Sequence, residues 1–596
     1  MEIKPSDEQL AAIACYETGE NLAIEALAGS GKTTTLRMLV ERGSPRGGKI
    51  LYTSFANKVI ADAKGKFPKS VRVSTIHALA WPVGVKYQQQ GRLRGRITPN
   101  DLLTRLGWSD LDFGHGIDAC TGAHCVIQTL ANFCQGADRT ITAKHAMGSA
   151  LRACRGDKSS SREAAQVITK KAADVWASMM LPTSSMPVTH DVYLKEWALA
   201  EPRLPYTTIM TDECQDSSAL FVEVLRNQKH AQLVIVGDAR QSIYSWRGSV
   251  NSMDSFQIAH RVQLTQSFRF GPEIAEVANA ILHDQCGADL PLRGDPNQPG
   301  FVSVCDTPHC YLARTNASLI GQLFEVQRDA PGYKVGVVGG VDEMVKLVDA
   351  AEQLQAGIPT AHPELAEFAH WQAVREAIAH DGYAHLRMLV RVVDEFGSRQ
   401  LRESLERIRG NEAEPETCDV MLSTAHKAKG SEFETVKLLD DFKVKGPEAN
   451  PGLFGWAPEE GNLLYVAVTR ARVHLDISDC QAVLASLPVG WMPSFPVPES
   501  VVDDYDMASI ALGEEPSPPA WRRPRLEAGV WDHPIIADAT LEISEEAEGY
   551  LVRVVAAGGV LFETWGDLSD VGAEIGGRVD VTVGNARLHV PRAALT

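Results

Sequence analysis

Residues 21–42, NLAIEALAGSGKTTTLRMLVER, decide the fold. Leu22 to Ala26 is an apolar run of strand length, and beyond Lys32 the apolar residues Leu36, Leu39 and Val40 recur at helical spacing. A glycine-rich loop joins the two. Strand, loop and helix in that order give a Gly-Lys-Thr its chemical meaning, because the new helix N-terminus and the loop N–H groups converge on an anion. On this reading Ala26, Leu27, Ala28, Gly29, Ser30 and Gly31 wrap a nucleotide's phosphates, with Gly29 and Gly31 allowing the backbone to close. Lys32 reaches the β- and γ-phosphates, the Thr33 hydroxyl ligates Mg²⁺, and Thr34 completes the turn. Ala26 stands where the eight-residue form of this loop carries its first glycine.

Two more strand-like runs lie downstream. YTTIMT (206–211) leads into Asp212-Glu213-Cys214-Gln215-Asp216, and QLVIV (232–236) into Gly237-Asp238 and ARQSIYSWRG (239–248). A carboxylate pair at the end of a buried strand divides its work: Asp212 holds the Mg²⁺ shell, while Glu213 orients and deprotonates an attacking water. Three strands that each end in polar residues predict a parallel sheet with its ligand at the strands' carboxyl ends.

Composition sets bounds on this reading. The chain has 596 residues, 44% hydrophobic and 22% charged, which excludes a disordered, collagen-like or coiled-coil protein. No apolar run approaches the ~18–20 residues that span a bilayer. MEIKPSDEQL (1–10) lacks a cationic start followed by an apolar stretch, so a cytoplasmic protein is expected, nucleoid-associated in a bacterial or phage cell. With 58 Lys+Arg against 76 Asp+Glu the net charge is −18, which argues against indiscriminate polyanion binding but not against a locally basic groove. The 11 cysteines are scattered; Cys120 and Cys125, with His115, His124 and Cys134 nearby, leave both free thiols and a zinc site open.

Eight short stretches then carry a resemblance. PSDEQ (5–9), LYTSFANK (51–58), VSTIHALAW (73–81), TDECQD (211–216), VGDARQSIYSWRG (236–248), QLTQSFRF (263–270), LSTAHKAKGSEFETV (422–436) and LLYVAVTRAR (463–472), together with the phosphate loop, follow one another in the order of the helicase motifs. In this the chain resembles a superfamily 1 helicase of the UvrD/PcrA/Rep type. TLANFCQGAD (129–138) and THDVYLKEWAL (189–199) resemble its F-box DNA helicase branch most. The resemblance implies an α/β fold with two RecA-like P-loop motor domains and helical insertions. It further implies ATP and Mg²⁺ as cofactors and ATP-dependent 3′–5′ translocation on single-stranded DNA with strand separation. The same motor used to strip bound proteins, with little unwinding, is the alternative.

Residue roles follow from the same resemblance. Gln9 reads adenine, Phe268 stacks on it, and Glu432 beside Gly430 contacts the ribose. Gln241 senses the γ-phosphate, and Arg269 and Arg470 place charge on it. Both arginines lie in the second half of the chain, so ATP is expected between two domains. Phe55, Tyr244 and Trp246 are the base-stacking candidates, and Asn57, Thr75, His77, Arg247, Thr424 and His426 hold phosphates and sugars. His77 and His426 also fit a structural reading. Two departures stand out: Thr34 where an arginine is frequent, and Gly461-Asn462 where a basic pair often precedes the last motif.

The expected organisation places one motor domain in 1–81 and 200–250, interrupted by a helical insertion, 82–199. A second motor domain covers 251–340 and 416–497, interrupted by a short helical insertion over 341–415. An acidic Pro-rich linker (498–530) precedes a small β-rich module (531–596) that suits a protein partner. GRLRGRI (91–97) reads either as a basic edge facing DNA or as a solvated loop. Arg139, Lys144, Arg152, Arg155, Arg162, Lys170 and Lys171 form a candidate strand-facing surface. Single-stranded DNA and single/double-strand junctions are the expected partners, with no membrane, and a monomer is expected to suffice.

Overall fold

The computed structural model describes residues 4–54, 57–154, 157–243, 253–288, 291–378 except 361, 363 and 367, 386–443 except 414, 458–488, 491 and the strands between 540 and 591. Two six-stranded parallel sheets organise residues 1–487. The first contains β1 (Leu22–Ala26), β2 (Ile50–Ser54), β3 (Val71–Thr75), β4 (Thr208–Thr211), β5 (Gln232–Gly237) and β6 (His260–Leu264) in the order β3-β2-β4-β5-β1-β6. Side chains alternate across it as a pleated strand demands. Leu22, Ile24, Tyr52, Met210, Val234 and Val236 pack on one face with the Asp7–Glu17 and Lys32–Glu41 helices. Ala23, Leu51, Ile209, Leu233 and Ile235 pack on the other. Burial on both faces is why these strands are almost continuously apolar.

The expected boundary at residue 250 needs correction. β6 pairs in parallel with β1, Leu22 opposite His260 through Ala26 opposite Leu264, so the first sheet extends to residue 264. Its alternation, His-Arg-Val-Gln-Leu, is that of an edge strand with one wet face, which conceals it beside strands that are mostly apolar.

The second sheet contains β7 (Phe301–Val302), β8 (Cys310–Ala313), β9 (Val335–Val337), β10 (Val420–Thr424), β11 (Phe433–Leu438) and β12 (Ala471–Asp476), ordered β7-β12-β11-β8-β10-β9. The helices between β9 and β10 do not form a core of their own. Met344, Leu347, Leu389, Val393 and Leu405 join one cluster with Ala313, Val335, Val420 and Leu422 of the sheet. Seventy-odd residues are a marginal length for an independent core, and sharing the sheet's core removes that burden.

Among the described residues the chain between β3 and β4 carries seven α-helices, including Ala119–Gln135, Lys158–Met180 and His190–Leu199, whose apolar faces merge with the first sheet. Cys125 and Cys134 are buried there, and Cys120 is exposed. Of the three arginines in GRLRGRI, Arg94 and Arg96 are exposed. Arg92 is buried, donating to the carbonyls of Met179 (2.6 Å), Met186 (2.9 Å) and Leu181 (3.3 Å) and lying against the Tyr87 ring. It ties the ends of two helices and is neither a DNA-facing edge nor part of a solvated loop.

Residues 488–596 form a second unit. Thr540–Glu546, Gly549–Ala556 and Gly559–Gly566 pair as one antiparallel sheet; Leu568–Val571, Arg578–Val583 and Ala586–Pro591 pair as another. Among the described residues no helix is long and apolar enough to cross a membrane.

Arg92→Ala leaves three buried carbonyls without a charged donor. We expect it to destabilise the first motor half by about 2 kcal/mol, at the scale of a hydrogen bond to a charged group. An unchanged denaturation midpoint would refute the role given to Arg92.

Candidate active site

The phosphate loop follows β1 and is held from three sides. Gly31 caps the Lys32–Glu41 helix at φ 78°, and Gly29 lies at φ 73°. A Cβ on Gly29 would stand 2.3 Å from Ser267 Oγ and 2.7 Å from Arg269 Cβ, so only glycine fits there. The Phe268 N–H donates to Gly29 O (2.9 Å) and the Leu27 N–H to Leu264 O (3.0 Å). Residues 264–269 are thereby laced onto the loop, leaving the Phe268 ring 44% exposed beside Gly31. Gln9 is buried next to it. Its Oε1 accepts from the Ser6 N–H (3.0 Å) and its Nε2 donates to Thr35 Oγ1 (3.0 Å), so a capping box fixes the amide intended for adenine. Thr33 and Thr34 lie half-buried in the first helical turn, and Lys32 Nζ sits 3.5 Å from Ala26 O and 3.7 Å from Glu213 Oε1.

The carboxylate pair lies at the end of β4. Asp212 Oδ2 accepts from the Tyr52 hydroxyl (2.7 Å), and its Oδ1 accepts from the Glu213 N–H (2.9 Å). Glu213 adopts φ 52°, a left-handed conformation costly for a residue with a Cβ and typical of functional sites. Gln215 links this turn to the next strand end. It donates to Glu213 Oε2 and accepts from the Asp238 N–H (3.0 Å), while Asp238 Oδ2 accepts from Gln241 Nε2 (2.6 Å).

Electrostatics separates the two acids. Burial, reinforced by Glu213, pushes the Asp212 carboxyl up. Burial opposes ionisation of Glu213 as well, but Lys32, Lys429, Gln215 and Arg470 together hold it down. Asp212 is therefore a buried carboxylate short of positive charge, with the Thr33 hydroxyl on the neighbouring loop: a donor set that suits Mg²⁺.

The second sheet completes the site. Lys429, after β10, donates to both oxygens of Asp216 (2.8 and 2.7 Å) and to Gln241 O. Arg470 is fully buried, with Nε on Val466 O (2.8 Å), Nη1 on Ser431 O (3.1 Å) and Nη2 on Thr469 Oγ1 (3.1 Å). Burial and the adjacent Arg269 press against its charge, while Glu432 and Glu213 favour it. Arg269 donates to Glu432 Oε1 (2.9 Å) and Thr469 O (2.8 Å). Lys32 and Glu213 thus lie in contact, with Arg470 within electrostatic reach of Glu213 and of Arg269, and Gln241 is tied to the same turn through Asp238 and Gln215. One expectation changes: Arg269 follows β6 and so comes from the first sheet's own edge, and Arg470 alone of the two arginines comes from the second sheet.

Comparison with known proteins bears on this arrangement. The UvrD/REP helicase N-terminal domain matches residues 6–257 and the UvrD-like helicase C-terminal domain residues 346–482. The chain belongs to the UvrD/Rep helicase family. Its two parallel sheets are consistent with a pair of RecA-like domains. It is 30% identical to F-box DNA helicase 1 of Gallus gallus over 492 residues, 76% of this chain and 47% of that protein. It is 28% identical to F-box DNA helicase protein 1 of Schizosaccharomyces pombe over 528 residues, 81% and 58% respectively. With ATP-dependent DNA helicase UvrD2 of Mycobacterium tuberculosis it shares 25% over 555 residues, 77% and 76%. The chain spans about half the length of the F-box relatives it matches.

The DNA-contact candidates of this UvrD/Rep-family chain divide. Phe55, Tyr244, Trp246, Arg247 and the Asn57 side chain lie outside the described residues. Thr75 and Thr424 occupy matching positions at the ends of β3 and β10. Each caps a four-residue helix through its hydroxyl, with His77 or His426 at the second helical position. His77 also faces Asp191 (3.4 Å) and the edge of Tyr193. Of the helical insertion's cations, Arg139 pairs with Glu201, Lys144 with Asp138 and Lys171 with Asp112, which neutralises much of the surface expected to face DNA. Sequence reasoning missed Lys429, Gln215, Asp238 and Tyr465. A tyrosine inside the apolar run LLYVAV was the available signal, since a buried hydroxyl needs a partner.

Lys429→Ala would strand the buried Asp216 carboxylate. ATP turnover is expected to fall at least ~10-fold, and adding Asp216→Ala is expected to restore part of it, because the uncompensated charge is then gone. Strictly additive losses would contradict the pairing.

Proposed function

We propose that this chain is an ATP-dependent DNA helicase that moves 3′–5′ along single-stranded DNA and separates strands at single/double-strand junctions. The observation that carries the reading is that Lys32 and Glu213, from one sheet, lie within electrostatic reach of Arg470, from the other. Phosphoryl transfer is catalysed mainly by positioning and by charge placed on the γ-phosphate. Lys32 holds the β- and γ-phosphates, Glu213 stays ionised to orient the attacking water and take its proton, and Gln241 senses the γ-phosphate. Mg²⁺, held by Thr33 and Asp212, supplies charge neutralisation to the phosphates when bound.

Arg269 is paired with Glu432. An arriving triphosphate competes for the guanidinium, and its release frees Glu432 for the ribose. Gln9 and Phe268 frame the adenine. Closure then has differential affinity for the triphosphate state, the condition for a power stroke. Thr75, His77, Thr424 and His426 grip the track at matching strand ends, while Trp246, Tyr244 and Phe55 stack on bases, at ~1–3 kcal/mol per base. The β-rich module docks a protein partner.

ATPase assays with and without single-stranded DNA and RNA, and unwinding of 3′- and 5′-tailed duplexes, test the proposal. DNA-stimulated hydrolysis and opening of the 3′-tailed substrate are expected; opening only the 5′-tailed one would reverse the polarity. Displacement of a bound protein filament without unwinding would favour the stripping alternative. Lys32→Ala should abolish hydrolysis, and Glu213→Gln should keep ATP binding while stopping turnover. Undiminished turnover in Glu213→Gln would overturn the role of that carboxylate. Trp246→Ala should reduce stimulation by DNA more than basal hydrolysis.

A further inference from the structure

The Pro458–Val468 helix of the second half is fastened along its length to loops of the first sheet. Near its start, Asn462 Nδ2 donates to Ser242 O (2.9 Å), directly after Gln241, and Asn462 Oδ1 accepts from the Cys286 thiol (3.6 Å). Gly461 permits the approach: a Cβ there would lie 2.9 Å from Gln285 Cβ and 3.1 Å from Gln285 O. A basic pair at 461–462 would collide with this packing, which accounts for its replacement by Gly-Asn. One turn further, the buried Tyr465 hydroxyl accepts from the Ala28 N–H of the phosphate loop (3.0 Å) and donates to Asp238 Oδ2 (3.4 Å). Arg470 follows just past the helix end.

A hydroxyl offers one proton and two lone pairs, so Tyr465 joins two loops at once. Burial and Asp238 keep the phenol neutral, which preserves both functions. The acceptor at Asp238 is shared. Gln241 Nε2 binds the same Oδ2 at 2.6 Å, closer than Tyr465. If Gln241 turns to a γ-phosphate, Oδ2 loses that donor and Tyr465 is the side chain placed to replace it.

Resting on the helicase reading above, we propose that Tyr465 is a positioning residue for ATP hydrolysis. Its hydroxyl exchanges with Gln241 for Asp238, and through its helix this sets Arg470 against the phosphate loop when the triphosphate binds. The exchange ties Gln241's movement to docking of the second half, so the triphosphate and not the diphosphate is rewarded.

Tyr465→Phe keeps the ring and removes only the hydroxyl. In the full chain, affinities for ADP and for a slowly hydrolysed ATP analogue are measured beside kcat, KM and thermal midpoint. ADP affinity and midpoint are expected to hold, while the analogue-to-ADP preference drops at least ~5-fold and kcat at least ~10-fold with KM little changed. Asn462→Ala, which loosens the same helix at its other end, should shift the preference the same way, and the double variant should lose less than the product of the two. Preserved preference and kcat in Tyr465→Phe would overturn the proposal, as would equal loss of both nucleotides with a lowered midpoint. Should Tyr465→Phe fail to fold, an unchanged preference in Asn462→Ala overturns it instead. A wild-type chain lacking DNA-stimulated hydrolysis would defeat the helicase reading alone, because the analogue-to-ADP preference still reports on Tyr465.

Discussion

Two carboxylates buried side by side at the end of one strand are the constraint on which the site depends. Asp212 and Glu213 cannot both ionise in a low-dielectric pocket without cations, and the first sheet provides one ammonium in contact, Lys32. The remaining charge comes from the second sheet, through Lys429 and Arg470. Electrostatic need thus binds the halves of the chain to each other at the same place where a nucleotide's phosphates would add more negative charge. A nucleotide bound there would draw on the same cations that hold the halves together.

The polar groups of the site hold one another. Arg269 is occupied by Glu432, Lys429 by Asp216, and Gln241 by Asp238. Each is a charged or polar group with a resident partner, so a nucleotide bound here would exchange partners with it. Exchange costs less than stripping water from an unpaired charge, and it transmits the event to whatever the released partner touches next.

The two sheets also repeat a device. β3 and β10 each end in Ser-Thr, the threonine capping a single helical turn that carries a histidine. A parallel strand delivers its terminal residues to one edge, so the repetition puts similar polar groups at the carboxyl edge of each sheet.

The phosphate loop, the strands that precede it and the carboxylate pair were legible in the sequence because their signals are local: an apolar run of fixed length, glycines, and acids at a strand end. The family was legible because its motifs are contiguous and ordered. Tertiary structure alone decided three matters. β6 belongs to the first sheet although it follows the expected boundary, since an edge strand with one wet face lacks the apolar signature of its neighbours. Arg92, expected on a DNA-facing edge or a solvated loop, is a buried tie between helix ends, because its acceptors are carbonyls about ninety residues away. Tyr465 acquired Ala28 and Asp238 as partners, a pairing across more than two hundred positions that no spacing rule contains. Local geometry is written residue by residue, whereas a buried polar group's partner depends on which distant surface the fold brings to it.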